Sequence, residues 1–146
     1  MKTNASRVSS GVVRPRTAAA LLGAVATLFM AAAAQAECLK AQADNQVAEG
    51  KLTSVQFSTE AYKSKEQAFI LQLKADACLE GTDEFDKVDH TNRIHVFSMD
   101  DAMRKKLRAA VGKMVRVSGS PFGEENIHHH APIVMGVSSI ETLPGK

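Results

Sequence analysis

Three consecutive histidines, His128, His129 and His130, stand two residues before Pro132 and are the most chemically pointed feature of this 146-residue chain. In an extended segment alternate side chains share a face, so His128 and His130 point together and His129 points away. Two imidazoles on one face could chelate a cation. His90, beside Asp89, and the carboxylates of Glu124 and Glu125 are the nearest candidates to complete such a set. Mixed nitrogen and oxygen donors suit Zn²⁺, Cu²⁺ or Ni²⁺ better than Ca²⁺. The competing reading has the histidines hydrogen-bonding loop carbonyls at a strand edge, with His129, Glu124, Glu125 and Phe122 as contact residues for a partner. His95, inside an apolar run, reads as a partly buried imidazole with its hydrogen bonds met. The sequence carries no nucleophile elbow, no phosphate-cradling glycine loop and no His-Glu-x-x-His helix, so no residue is assigned a catalytic role.

The elements that must position these groups follow from hydrophobic spacing. Val47 to Phe57 reads as a strand with a bulge or bend at Gly50, and Gln67 to Lys74 as a second strand with Phe69, Leu71 and Leu73 on one face. The polar stretch Ser58 to Glu66 reads as a long hairpin loop, and the acidic stretch Glu80 to Asp89 as a solvated loop. Asn92 to Phe97 supplies a third strand. Helical spacing then takes over, with an acidic capping signature from Ser98 and Gly112 as the stop. Met99, Met103, Leu107, Ala110 and Val111 form its apolar stripe, and Asp100 with Arg104 and Asp101 with Lys105 are expected i,i+4 pairs. Lys113 to Ser118 is a fourth strand, Gly119 to Glu125 a turn, and His130 to Ile140 a fifth strand carrying Ile133, Met135 and Val137.

Three strands, a helix and two strands are the element order of an OB-like five-stranded, partly open barrel. The alternative is an open α+β sheet of the same elements. In the OB arrangement the third and fifth strands run parallel, which would bring His90 and Asp89 toward His128 or His130.

The first 36 residues bear Arg7, Arg14 and Arg16, then an uncharged Ala- and Leu-rich run, then Ala34-Gln35-Ala36, the pattern of a secretory leader cleaved after Ala36. Four of the 18 Lys and Arg and none of the 16 Asp and Glu lie there, so residues 37–146 carry 14 against 16 and the formal charge falls from +2 to −2. A 110-residue remainder suits one domain. Export to the periplasm or beyond makes a Cys38–Cys78 disulfide the expected use of the two cysteines, and cleavage leaves no stable membrane anchor. Slight acidity, no Trp and one Tyr argue against nucleic acid as a partner.

The stretch Gly119-Ser120-Pro121-Phe122-Gly123-Glu124-Glu125-Asn126-Ile127-His128-His129-His130-Ala131-Pro132, with Gly112-Lys113-x-Val115-x-Val117, resembles a bacterial family of exported domains of unknown function, DUF4431. The similarity extends toward Cys38-Leu39-Lys40 and the strand around Gly50. It implies export and a compact β-rich fold, and it transfers no activity. The expected function is therefore a small, exported, non-catalytic binding module, an inhibitor or accessory to a periplasmic or cell-envelope protein or ligand. The alternative is a metal-binding domain built on His128, His130 and His90.

Overall fold

Period-two alternation along most of the chain produces strands, and a single helical segment interrupts them. The computed structural model describes residues 37–59 and 64–145, so the leader read over residues 1–36 lies outside them. The elements are β1 (Leu39–Lys40), β2 (Gln46–Thr59), β3 (Ser64–Glu80), a 3-10 turn (Glu84–Asp86), β4 (Val88–Phe97), α1 (Asp101–Ala110), β5 (Met114–Gly123) and β6 (Ile133–Thr142).

Five of the strands close on themselves in the cyclic order β3-β2-β5-β6-β4, with β4 returning to β3, and β1 adds to β3 as a sixth. The OB-like reading holds, with a closed barrel in place of a partly open one. The open-sheet alternative fails. Closure depends on the parallel pairing of β4 with β6, Ile94 to Phe97 against Ile133 to Gly136. Inward positions of the five strands, including Leu52, Leu71, Ile94, Val115 and Ile133, are fully buried, and α1 adds Leu107 and Ala110 to the same core.

β2 is shared by two neighbours. Its first half, Gln46 to Lys51, pairs antiparallel with β5, and its second half, Gly50 to Thr59, pairs antiparallel with β3. No register shift occurs at Gly50, so of the bulge or bend expected there the bulge is absent. The glycine is instead required by crowding, because a Cβ there would stand 2.4 Å from the Gln72 carbonyl oxygen.

Other boundaries move for identifiable reasons. The hairpin is longer than its polar sequence suggests, since cross-strand pairing continues from Phe57 opposite Glu66 to Thr59 opposite Ser64. Gly119 to Gly123 is strand rather than turn, with an irregularity between Ser118 and Gly119 that keeps the two strands paired to Gly123 opposite Ile133. The last strand starts at Ile133, which leaves the histidines in the loop before it. The acidic 80–89 stretch is not wholly solvated either, because Asp86 is buried.

The helix begins later than Ser98. Asp100 is its N-cap, and its carboxylate accepts the Met103 amide at 2.7 Å, which satisfies one of the free first-turn donors. Met99 consequently precedes the helix and is 84% exposed, not part of the apolar stripe. Arg104 pairs with Asp101 three residues away rather than with Asp100 four away.

Cys38 and Cys78 form a disulfide, fastening β1 to the end of β3 across 40 residues. Removing both sulfurs (Cys38→Ala with Cys78→Ala) is expected to lower unfolding free energy by about 4 kcal/mol through the freed loop. Asp100→Ala is expected to cost about 1 kcal/mol through the lost cap. Denaturant midpoints at constant slope check both.

Candidate functional site

The loop from Glu124 to Pro132 joins β5 to β6 and meets the β2–β3 hairpin at Phe57 and Glu66. Its start is held from below. Asp86 accepts the Gly123 amide at 2.8 Å, and a Cβ at Gly123 would lie 1.6 Å from the Phe85 carbonyl oxygen, so only glycine permits this approach. Inside the loop Asn126 organises the turn: its carbonyl accepts the His129 amide, its side-chain oxygen accepts the His128 amide, and the Glu124 amide bonds the Pro132 carbonyl. The Glu125 amide donates to His129 Nδ1 at 3.0 Å.

The three histidines then make different contacts. His128 Nδ1 lies 2.9 Å from Glu66 Oε2, and His130 Nε2 lies 3.5 Å from the same oxygen. The His130 ring stacks on Phe57, centroids 3.8 Å apart and planes 1° from parallel. Phe57 and Glu66 are cross-strand partners, so one rung of the hairpin presents both the ring and the carboxylate. His129 turns the other way, edge-on to Phe122 at 5.3 Å and to His95 at 6.4 Å. Alternation of facing along the triplet is thus retained in the loop.

His95 lies beneath these rings. It is 8% exposed, 5.4 Å from the His130 ring, and its Nδ1 faces the His130 amide at 3.4 Å. Burial, reinforced by His130 and His129, pushes its pKa down to about 4. A neutral imidazole can accept that amide at Nδ1, and a protonated one cannot. Glu66 is held below its ordinary range chiefly by the hydrogen bond from His128, against an opposing effect of burial.

His128, His129, His130 and Phe122 are therefore brought together. His90 is not. It is exposed, and no hydrogen bond, ion pair or ring contact joins it to the loop among the described residues. Nor do any three His, Cys, Asp or Glu side chains among the described residues form a group arranged to hold a metal ion. Glu124 and Glu125 take part through their amides while their side chains are exposed. Three participants escaped the sequence reading: Phe57, Asp86, placed in a supposedly solvated stretch, and His95 as a member of the cluster, while Glu66 was read only as the end of the hairpin loop. Only Phe57 gave a signal, as the last apolar position of its strand.

A disulfide-fastened OB-like barrel with a histidine and aromatic cluster where its hairpin meets its last loop is the class that fold and site define. Residues 93–141 match the family DUF4431, described as a domain of unknown function. That segment runs from β4 to β6 and contains the whole histidine loop. No curated protein matches the chain.

Because His95 is held neutral, the unfolded chain takes up a proton below about pH 6.5 that the native state refuses until about pH 4. Stability is therefore expected to be complete above the ordinary histidine range and to decline as pH falls from about 6.5 to about 4, where the His95 contribution levels off. Glu66 adds to the loss as it protonates. Histidine ring NMR signals check this. A His95 signal titrating near 6.5 would contradict the buried position.

Proposed function

We propose that the protein is an exported binding module, cleaved after Ala36, whose contact site is the end of the barrel carrying the histidine loop and the β2–β3 hairpin. The observation that carries this reading is the single rung, Phe57 opposite Glu66, that ties the loop down through stacking on His130 and the bond to His128. Counting the five barrel strands, these are the first and fourth connections, the loops that OB folds use for ligands. The barrel fixes the loop while Glu125, Ile127 and His128 remain exposed, and binding residues concentrate on loops held in this way. The partner is a periplasmic or cell-envelope protein or ligand, with the module as inhibitor or accessory.

A binding role fits the chemistry better than catalysis. Among the described residues, no serine, threonine or cysteine is hydrogen-bonded to a histidine of the cluster. His128 Nδ1 is spent on Glu66, and His129 Nδ1 on the Glu125 amide. The Cys38–Cys78 bridge fits an oxidising compartment, and no helix among the described residues is long and apolar enough to cross a membrane.

A photo-crosslinking amino acid placed in living cells at Glu125, at Ile127 and at Lys105 on α1 tests the reading. Adducts are expected from the two loop positions and not from the helix. Glu66→Gln, which unties the loop, is expected to reduce their yield several-fold. Adducts from Lys105 alone, or none from the loop, would overturn the assignment. N-terminal sequencing of the exported protein should begin at Glu37.

A further inference from the structure

Not all of the buried side chains belong to the barrel interior. Leu71, Ile94 and Ile133 point inward, so by the period of two Ile70, His95 and Val134 point outward. These three are cross-strand partners, Ile70 with His95 and His95 with Val134, and the row continues to Phe122. Outward residues of a barrel ordinarily meet water. Here Ile70 is 2% exposed, Val134 0% and His95 8%, and Ala68, on the same face two residues from Ile70, is buried as well. A largely apolar strip of the outer wall is therefore covered.

The histidine loop supplies the cover. His129 and His130 set their rings against His95, His129 also meets Phe122, and the loop's own Ala131 is buried. The bonds that hold the loop on the wall are made by ionisable groups. His128 Nδ1 meets Glu66 Oε2, the His130 amide donates to His95 Nδ1, and the Arg93 guanidinium donates to the His130 carbonyl at 3.2 Å. The groups around His95 are thus His129 and His130 from the loop, Glu66 from β3 and Arg93 two residues away on the same face of β4. Among the described residues β2, β5 and β6 bring the uncharged Phe57, Phe122 and Val134 to this junction.

We infer that the histidine loop is an acid-released flap, seated on this strip at neutral pH and lifting from it as the two groups that hold it take up protons. His95 must be neutral to accept the His130 amide, and Glu66 must be charged to hold His128 strongly. Burial holds the His95 pKa down to about 4, and the bond from His128 holds Glu66 below its ordinary range. Both contacts are therefore complete at neutral pH, and both weaken in acid. A proton on His95 also sets a second cation beside Arg93 on one face of β4 while the nearby carboxylate is being discharged.

The response stays local because no titratable side chain sits in the barrel core, which is apolar throughout from Ala48 to Val137. The Cys38–Cys78 bridge and the parallel pairing of β4 with β6 lie outside the loop, so neither has to break for it to lift. Lifting uncovers Ile70 and Val134 and takes Glu125 and Ile127 out of their fixed positions. Segments that open below the global unfolding free energy are of this kind, held by a few bonds over an intact frame.

The test is hydrogen exchange followed by NMR on protein expressed from the full chain. Amide protection at His128, His129 and His130, corrected for intrinsic exchange, is expected to fall at least about tenfold between about pH 6.5 and about pH 4. Protection at Ile94, Val96 and Met135 should stay at least about a hundredfold above that of the loop at every pH. His95→Gln, which accepts an amide whatever the pH, should cut the change in loop protection to less than about threefold. Glu66→Gln, which mimics the discharged carboxyl, should lower loop protection several-fold already at neutral pH, and it carries the test if His95→Gln does not fold. Loop protection that does not change in acid, equal protection in loop and core, or an unaltered pH dependence in His95→Gln would each overturn the inference. So would unaltered loop protection in Glu66→Gln. The measurement needs no partner, so absent crosslinks leave the flap standing, and a loop that stays seated in acid leaves the contact site standing.

Discussion

One strand serving two neighbours is the constraint from which the rest of the barrel follows. β2 holds β5 with its first half and β3 with its second, and the exchange occurs around Gly50, where no side chain fits beside the Gln72 carbonyl. The two partners must diverge from that point. On one side of it the β2–β3 hairpin projects as a paired arm, and on the other the same two strands separate into a fork. Closure elsewhere is modest by comparison, four residues of parallel pairing between β4 and β6. The position of the candidate contact region is thus a consequence of one shared strand.

At the hairpin end, chemistry is set by how differently the neighbouring groups are exposed to water, His128 open and His95 buried. A carboxylate, three loop imidazoles and a buried fourth converge over a short distance, yet they do not behave alike. Glu66 remains charged because His128 donates to it, whereas His95 remains neutral because charging it would mean burying an unsolvated cation. His130 Nε2 is the orphan of the group, buried and without a hydrogen-bond partner among the described residues. Stacking on Phe57 holds that ring in place and places the cost of the unmet donor or acceptor in the loop itself.

Much of the barrel was legible because alternation and helical spacing are local. The strand cores around Leu52, Phe69 to Leu73, Ile94 to Val96, Val115 to Val117 and Ile133 to Val137 were visible as patterns, and so was their order. What was not legible depended on partners distant in sequence. Gly50 looks like a bulge until the Gln72 carbonyl is beside it, and Asp86 looks solvated until the Gly123 amide reaches it. Glu66 illustrates the same point for the site. A glutamate at the end of a polar stretch carries no mark of the histidines 62 residues further on. The histidine triplet itself was readable, but the expected companion, His90, was chosen from strand direction alone, and β4 places His95 there instead.

The Cys38–Cys78 bridge encloses β2, the hairpin tip and most of β3 in one covalent ring. Any single cut of the backbone within that ring therefore opens a circle without releasing a fragment. A protease that clips the hairpin connection leaves both new ends attached to one molecule. The nicked protein keeps its full mass until a reductant separates the two pieces.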